Sequence, residues 1–368
     1  MAVYLGTILC SWLIAAFAQQ HPVVYTTKQG QLSKKISNVY IFLLLAIWVC
    51  VFAFRGLSVG SDTNGYYYFY RQMQHTGESV YRDQLFVYLE QLCNKIFNGS
   101  WIAYQAVVAV FIYLPTLLTL KKKPEFFSTS ILLFFFNMFF YGGFNGTRQA
   151  IASSLVFFAY YAFLEEKKYI KFSLIMLIAF GFHSSTLLVL PVLLLTRFKV
   201  DGIFVKIAAA LTFLSSIFIR QIWPLVINFL FAIGQTKMAE DYAEIPLDKG
   251  AGYLRIFVLL LPFILGYIFK NKLSPKYKEF NGELILILFG ALLRLLSTQY
   301  WVFARIGGYF NRATLLLIPK LFDAFDKKNK NIAGWIILAL YFVYMILLLL
   351  KGEGAYYPYV SIFNSGGF

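Results

Sequence analysis

Long apolar runs separated by short polar packets form the main pattern of this chain. A helix that crosses the hydrocarbon core of a bilayer needs roughly 20 apolar residues, and most of the runs approach that length. The pattern predicts an all-α, polytopic membrane protein of about 12 transmembrane helices with outer-face loops and short amphipathic helices. The predicted spans are Met1–Ala18, Val39–Phe54, Trp101–Leu120, Phe126–Tyr141, Gln149–Leu164, Tyr169–Phe182, Ser184–Leu195, Gly202–Ile219, Tyr253–Phe269, Glu283–Leu296, Ile306–Leu321 and Ile332–Leu350.

The composition supports a membrane location. Of 368 residues, 60% are hydrophobic, 20% aromatic and only 14% charged, and the mean hydropathy is +0.66. A soluble domain of this length needs a more charged surface, so a soluble enzyme, a disulfide scaffold and a disordered chain are excluded. The net charge of +16 would suggest nucleic acid for a soluble protein, but in a membrane protein it reports orientation, and we expect no nucleic-acid partner.

Lysines fall in packets between alternate spans, and this orients the chain. By the positive-inside rule these connections are cytoplasmic, which places both termini outside. The two short runs beside His183 then form a hairpin with His183 at its outer tip. The whole chain, residues 1–368, is expected to be a single integral membrane domain.

Two outer segments are too long to be simple turns. Residues 55–100 contain an aromatic-rich stretch and then a candidate amphipathic helix at residues 81–97. Residues 220–252 contain an apolar stretch at residues 223–233, which we interpret as interfacial or re-entrant.

Lysine and arginine are divided between the two faces. The predicted cytoplasmic connections hold 19 lysines and one arginine, whereas the outer segments hold nine arginines and four lysines. Orientation requires only positive charge, so it does not predict this division. Arginine binds phosphate or carboxylate oxygens with two parallel hydrogen bonds. We therefore expect an outward-facing site for an anionic ligand, although any single arginine could instead reach outer headgroups or a local acid.

Two glycine-rich patches lie at outer ends of predicted spans. In residues 55–63 (RGLSVGSDT), Arg55 could hold an anion and Asp62 could accept a proton. In residues 142–149 (GGFNGTRQ), Arg148 stands at a helix N-terminus, where free N–H groups and the helix dipole favour a diphosphate. Each patch could also be a polar turn that caps the next helix.

A histidine and a pair of arginines complete the candidates. His183 interrupts two apolar helices and could act as a general base or phosphate partner, although a lone histidine is often structural. Arg305 and Arg312 are about two helical turns apart, so both could point into one cavity. The sequence has no zinc-ligand spacing, Walker loop, GxSxG or GxGxxG, and we expect neither a metal nor a cofactor.

These patches in this order resemble the EpsG family, a branch of the Wzy-type O-antigen and exopolysaccharide polymerases. One element departs from the family pattern, because Asp83-Gln84-Leu85-Phe86 stands where the family has Glu-Pro-Gly-aromatic, and no role is carried over to Asp83. The resemblance covers nearly the whole chain through five patterns: Arg-Gly followed by Gly-x-Asp-Thr-x-x-Tyr at residues 55–66, Arg-Gln-x-x-Ala at 148–152, His-x-Ser at 183–185, Arg-x-x-x-Tyr-Phe at 305–310 and Pro-Tyr at 358–359.

The resemblance implies a GT-C-like polysaccharide polymerase in the bacterial inner membrane, with its active site on the periplasmic side. It would join undecaprenyl-diphosphate-linked oligosaccharide repeat units, one as donor and one as acceptor, and release undecaprenyl diphosphate. Membrane lipid and a chain-length regulator are the further partners it suggests. The expected catalytic residues are Asp62 and His183, and the expected substrate-binding residues are Arg55, Arg148, Arg305, Arg312, Tyr66 and Tyr309.

Other membrane functions use the same chemistry. A flippase or transporter for lipid-linked oligosaccharides also needs cations for the diphosphate, but it should carry them along a path to the cytoplasmic side. An O-antigen ligase and a polyprenyl-phosphate-dependent glycosyltransferase share the leaving group. A membrane O-acyltransferase would use His183 differently.

Overall fold

The computed structural model describes residues 1–26, 30–232, 234, 236–244 and 252–363. Its secondary structure is dominated by helices. In chain order the elements are α1 (Ala2–Gln20), β1 (Val23–Thr26), β2 (Leu32–Lys35), α2 (Asn38–Ala53), α3 (Thr63–Thr76), α4 (Gln84–Ile96), α5 (Trp101–Leu120), α6 (Phe127–Phe136), α7 (Phe139–Gly142), α8 (Thr147–Ala159), α9 (Tyr169–Phe182), α10 (Leu190–Leu195), α11 (Ile203–Ala232), α12 (Thr236–Ala243), α13 (Tyr253–Ile268), α14 (Lys270–Leu273), α15 (Phe280–Leu296), α16 (Val302–Asn311), α17 (Thr314–Leu321) and α18 (Lys327–Leu350).

Four of the described helices are long and apolar enough to cross a membrane. They are Ala2–Gln20, Trp101–Leu120, Ile203–Ala232 and Lys328–Leu350. Shorter apolar helices cover Asn38–Ala53, Pro124–Phe136, Tyr169–Phe182, Ser184–Leu195 and Tyr253–Ile268. Large side chains such as Leu211, Phe229 and Leu340 are exposed on the long helices, as lipid-facing positions require. The chain is thus a helical membrane protein, and the number of twelve spans stays a prediction.

The helices depart from the predicted spans at several places. Of the predicted span Ser184–Leu195, only Leu190–Leu195 is α-helical, and a 3-10 helix covers Ser184–Val189. The span and the apolar stretch predicted on either side of Arg220 form the single helix α11, because only Arg220 and Gln221 interrupt the apolar sequence there. The predicted span Ile306–Leu321 is divided between α16 and α17 by a turn at residues 312–313. The predicted span Phe126–Tyr141 breaks where Met138 adopts a φ of 65°.

A small antiparallel sheet adds to the all-α prediction. Strands β1 and β2 pair from Val23 opposite Lys35 to Thr26 opposite Leu32. β1 has the sequence VVYT, and β-branched and aromatic residues favour extended backbone. The hairpin lies in a connection that the charge pattern places on the cytoplasmic side.

The chain packs as two compact units. The first comprises Met1–Leu187 with Phe325–Phe368, and the second comprises Leu188–Ala324. The first unit contains α1 to α9 and α18, and the second contains α10 to α17. The single integral membrane domain expected over residues 1–368 stays a prediction.

Aromatic packing holds the first unit together. The Trp48 ring stacks on Phe134 at 4.8 Å between centroids and meets the edge of Tyr113 at 5.5 Å. Its Nε1 donates a hydrogen bond to Ser11 Oγ at 2.9 Å. The indole therefore ties together α1, α2, α5 and α6, and it satisfies its one donor within the core.

A buried ion pair crosses the second unit. Lys320 Nζ of α17 lies 2.6 Å from Glu283 Oε1 of α15, and neither side chain is exposed. Glu279 Oε2 lies 3.8 Å from the same nitrogen. Because the charges are removed from water, each depends on the other for compensation.

Candidate functional site

The glycine loop (residues 55–63) is held by the C-terminal segment (residues 353–363). Gly56 N donates a hydrogen bond to Val360 O at 2.7 Å, and Gly60 N donates to a carbonyl of the same segment at 2.9 Å. The loop backbone therefore makes sheet-like contacts with residues about 300 positions later in the chain. This pairing gives the loop a fixed shape despite its glycines.

Arg55 is enclosed within the first unit. Its side chain is 2% exposed, and the guanidinium carbon lies 3.8 Å from the Phe52 ring centroid and 4.9 Å from that of Phe144. Nη1 donates to Phe52 O at 2.5 Å, and Nε donates to Thr63 Oγ1 at 3.4 Å. Burial lowers the pKa of Arg55 to about 10, which still leaves it charged at neutral pH. Arg55 fastens the glycine loop here, and its contact with substrate stays a prediction.

Asp62 joins the glycine loop to the turn before α8. Its Oδ2 accepts a hydrogen bond from Gly146 N at 2.9 Å, and its Oδ1 accepts one from Ser61 Oγ at 3.1 Å. Asp62 N donates to Asn145 Oδ1 at 3.2 Å. Asp62 occupies the N-cap position of α3, yet its side chain makes no cap bond there. The carboxylate instead connects two sequence patches, and its catalytic role stays a prediction.

Asp83 lies at the centre of a charged cluster, which we call the Asp83 cluster (Asp83, Arg148 and His183). Its Oδ2 lies 2.5 Å from Arg148 Nη1 and 3.5 Å from His183 Nδ1. Its Oδ1 accepts a hydrogen bond from Ser184 N at 3.3 Å. The side chains of Asp83, Arg148 and His183 are 10%, 28% and 22% exposed, respectively. One carboxylate thus joins the start of α8 to the end of α9.

The environment of Asp83 keeps it ionised. Burial favours the neutral form, but the neighbouring His183 and Arg148 outweigh it and hold the pKa of Asp83 below its ordinary value. Asp83 precedes α4 at the N-cap position, and its side chain makes no cap bond. The carboxylate is therefore fully committed to the cluster.

Aromatic side chains cover one side of the Arg148 guanidinium. The Tyr81 ring centroid lies 4.4 Å from the guanidinium carbon. Tyr81 packs against Tyr66 at 5.6 Å and against Phe86 at 5.3 Å between ring centroids. Tyr66 is buried, whereas Tyr81 is partly exposed. Tyr81 is thus better placed than Tyr66 to present a ring face to a sugar.

The remaining predicted residues lie in the second unit. Arg305 is exposed, and its guanidinium carbon lies 4.4 Å from the Trp301 ring centroid. Arg312 is buried in the turn that follows α16, and Tyr309 is buried within that helix. The two arginines therefore do not share one continuous helix face. That these residues bind substrate stays a prediction.

A match to a protein family covers most of the chain. Residues 38–361 match the family model of the EpsG family. The chain belongs to the EpsG family. No curated protein and no solved structure matches this EpsG protein. Membership suggests a function of the polysaccharide-polymerase type.

Contacts within the first unit link the EpsG-like sequence patterns. Asp62 bonds the turn that carries Arg148, and Asp83 joins Arg148 to His183. Tyr359 Oη donates to Val51 O at 3.0 Å, next to the glycine loop. The patterns in this unit are those at residues 55–66, 148–152, 183–185 and 358–359. Four patterns separated by long stretches of sequence therefore assemble in one place.

Sequence reasoning missed two residues of this EpsG site. The resemblance gives Asp83 no role because its surroundings depart from the family pattern, and the sequence places Tyr81 only at the start of a candidate helix. The available indication was the position of Asp83, an acid in the same outer segment as the candidate arginines. Within the described residues, no three His, Cys, Asp or Glu side chains are grouped to hold a metal ion.

The Asp83 cluster has the arrangement of an oriented base. Asp83 Oδ2 lies 3.5 Å from His183 Nδ1, which makes no hydrogen bond with any described residue, so the carboxylate acts on the ring through its charge. A negative charge on this side favours a proton on Nδ1 and leaves Nε2 to accept one. Arg148 adds a permanent positive charge next to the same carboxylate. The cluster can therefore accept a proton and offer a guanidinium to an anion within one small region.

Proposed function

We propose that this protein is a polysaccharide polymerase, a glycosyltransferase that joins undecaprenyl-diphosphate-linked oligosaccharide repeat units. The reaction takes place on the outer face of the bacterial inner membrane. The growing chain leaves its lipid carrier and is transferred to a hydroxyl group of a new repeat unit. The observation that carries this proposal is Asp83 bridging Arg148 and His183, in a chain of the EpsG family.

The proposed step balances without a cofactor. The bond between the sugar anomeric carbon and the diphosphate oxygen breaks, and undecaprenyl diphosphate leaves with the electron pair. A new bond forms from the anomeric carbon to the acceptor oxygen, and the hydroxyl proton passes to His183 Nε2. A positioned base of this kind contributes roughly 100- to 10,000-fold in rate.

Positive charge stabilises the leaving group in this proposal. Negative charge grows on the diphosphate as the bond breaks, and a fixed guanidinium can stabilise that charge without a metal. Arg148 has one nitrogen on Asp83, while its Nε is buried and makes no hydrogen bond with any described residue.

His183 is our preferred base over Asp62. Both carboxylate oxygens of Asp62 accept hydrogen bonds from neighbouring chain atoms. His183 is partly exposed and has an acid beside only one ring nitrogen. Asp62 is accordingly proposed to shape the glycine loop and the turn before α8.

Purified protein in liposomes with one lipid-linked repeat unit tests the function. Products are released by mild acid and separated by length. We expect a ladder of longer oligosaccharides and free undecaprenyl diphosphate. Product formed only after a second kind of lipid acceptor is added would identify a ligase. Relocation of an unchanged substrate across the bilayer would identify a flippase.

A further inference from the structure

A buried carboxyl group in α4 lies behind the Asp83 cluster. Glu90 is 1% exposed. Its Oε2 accepts a hydrogen bond from Ser79 Oγ at 2.7 Å, and its Oε1 accepts one from Tyr104 Oη at 3.2 Å. Each carboxylate oxygen therefore has a donor, as burial demands. The reaction proposed above makes no use of this group.

The bridging segment (residues 79–83) connects Glu90 to the cluster. Ser79 Oγ donates to Glu90 and also accepts a hydrogen bond from Tyr81 N at 3.3 Å. Two residues further on, the side chain of Asp83 bonds Arg148. The segment is neither helix nor strand, so its conformation depends on such tertiary contacts. Two hydrogen bonds thus connect the buried acid to Tyr81, and two residues of chain connect Tyr81 to Asp83.

We propose that Glu90 is a positioning residue, whose carboxylate holds the bridging segment in the conformation that aligns Asp83 with Arg148 and His183. This inference rests on the proposed function. Glu90 acts through Ser79, and it is too deeply buried to contact the substrate.

The charge of Glu90 sets how firmly the segment is held. Burial raises the pKa of Glu90 to about 7. A hydrogen bond to a carboxylate is roughly twice as strong as one to a neutral group, so the hold is firmer above this pH and weaker below it. The titratable or charged groups around Glu90 are Tyr70 of α3, Tyr81 of the bridging segment, Cys93 of α4, Tyr104 of α5 and Arg148 of α8.

Hydrogen–deuterium exchange of the bridging segment tests this hold directly. Glu90→Gln keeps the size of the side chain and removes its charge, and Ser79→Ala removes the link while leaving Glu90 in place. Glu78→Gln is the matched control, because Glu78 is a neighbouring exposed acid. Each variant is compared with wild type at the same pH, so that the intrinsic pH dependence of exchange cancels.

We expect Glu90→Gln to exchange several-fold faster than wild type in the bridging segment at pH 8. At pH 5, where Glu90 of the wild type is neutral, the ratio should approach one. Ser79→Ala should also accelerate exchange at pH 8, and Glu78→Gln should change neither value. Equal exchange of Glu90→Gln and wild type at pH 8 would overturn the inference.

Elongation kinetics test whether the position of the bridging segment affects the reaction. At pH 8 we expect Glu90→Gln and Ser79→Ala to lower kcat for chain elongation about tenfold with little change in KM, because misalignment affects the reacting groups. Adding Glu90→Gln to Asp83→Asn should cause little further loss, whereas additive losses would contradict action through Asp83. If the wild type elongates no substrate, the proposed function is wrong, and the exchange ratio alone decides whether Glu90 holds the segment.

Discussion

The carboxylate of Asp83 lies 2.5 Å from the guanidinium of Arg148, although 65 residues separate them in the chain. Asp83 occupies the N-cap of α4, where an aspartate commonly stabilises its own helix by about 1 kcal/mol. Its side chain makes no cap bond and contacts Arg148 and His183 instead. α4 therefore lacks a stabilising contact at its N-terminus. Asp83 instead provides a fixed negative charge between two basic groups.

Asp83→Asn removes the charge of this side chain and keeps its shape. Asparagine fits the same space but cannot compensate Arg148 or hold the His183 tautomer. We expect kcat for chain elongation to fall about 100-fold or more. The thermal midpoint should fall at neutral pH, because the lowered pKa of Asp83 means that its charged form stabilises the folded protein. Elongation rates and thermal unfolding of the purified variant measure both quantities.

Asp201→Asn is the matched control for this substitution. Asp201 forms an ion pair with Lys270 Nζ at 2.8 Å, outside the candidate site, and its side chain is 44% exposed. We expect elongation at the wild-type rate. Full activity of Asp83→Asn would show that the Asp83 cluster is structural.

His183 and Asp62 can be distinguished by opposite effects of their variants. His183→Gln should abolish measurable elongation while the protein stays folded. Asp62→Asn should retain elongation within about tenfold of wild type and lower the free energy of unfolding by about 1 kcal/mol, because Gly146 N loses a charged acceptor. Elongation assays and thermal unfolding of both variants provide the measurements. An inactive, folded Asp62→Asn beside an active His183→Gln would reverse the assignment of the base.

The sequence predicted local features well where a single pattern determined them. The amphipathic helix expected at residues 81–97 is observed as α4 at Gln84–Ile96, and Phe86, Leu89 and Cys93 form part of its buried face. The chain also breaks its helix at His183, since α9 ends at Phe182. Both features follow from the spacing of apolar and polar residues within one short stretch.

Long-range features could not be predicted in this way. Nothing near Asp83 in the sequence indicates that its partners are Arg148 and His183, because that contact depends on how α4, α8 and α9 pack. Burial of Arg55 among aromatic rings is equally invisible, since an arginine after a span is normally expected near headgroups or ligand. At α11 the local pattern predicted a helix end that is absent. Arg220 and Gln221 interrupt the apolar sequence, but the helix continues through them.

Gly60→Ala should destabilise the glycine loop. Gly60 has a φ of +96°, and an added Cβ would lie 2.7 Å from Thr63 Oγ1 and 2.8 Å from Asn145 Oδ1. The backbone strain alone costs about 1–3 kcal/mol, and the close contacts add to it. We expect a lower thermal midpoint and slower elongation, measured on the same preparation.

Gly77→Ala separates strain from crowding in that experiment. Gly77 has a φ of +76°, but an added Cβ would meet no atom within 4 Å. We expect a cost of about 1 kcal/mol and normal elongation. If both alanine variants lower the thermal midpoint equally, crowding at Gly60 contributes nothing.

Glu90→Gln should change the pH dependence of stability. Burial raises the pKa of Glu90 from 4.5 to about 7 in the folded protein. Between these values the folded state binds more protons than the unfolded state, so rising pH lowers the free energy of unfolding, by up to roughly 3 kcal/mol. Glu90→Gln has no carboxyl group at this position, so its free energy of unfolding does not fall in this way. Its thermal midpoint should equal that of wild type near pH 4.5 and exceed it at pH 8.

Glu78→Gln provides the comparison for the stability experiment. Glu78 is exposed, so its variant should follow the wild-type pH dependence. If Glu90→Gln is more stable than wild type at pH 8 but elongates more slowly, the Glu90 carboxylate supports activity while it destabilises the fold. A Glu90→Gln midpoint below wild type at pH 8 would mean that the carboxylate stabilises the fold.

Lys320→Met should strongly destabilise the second unit. Lys320 and Glu283 form a pair from which water is excluded, and removing the lysine leaves a buried carboxylate without its main compensation. Loss of one partner of such a pair costs about 3–5 kcal/mol. The double variant Lys320→Met with Glu283→Gln should recover part of this loss, because Glu283 is then neutral while the charge of Glu279 remains. Thermal unfolding midpoints of the single and double variants test this prediction. If the double variant is no more stable than Lys320→Met, lost packing causes the destabilisation and uncompensated charge does not.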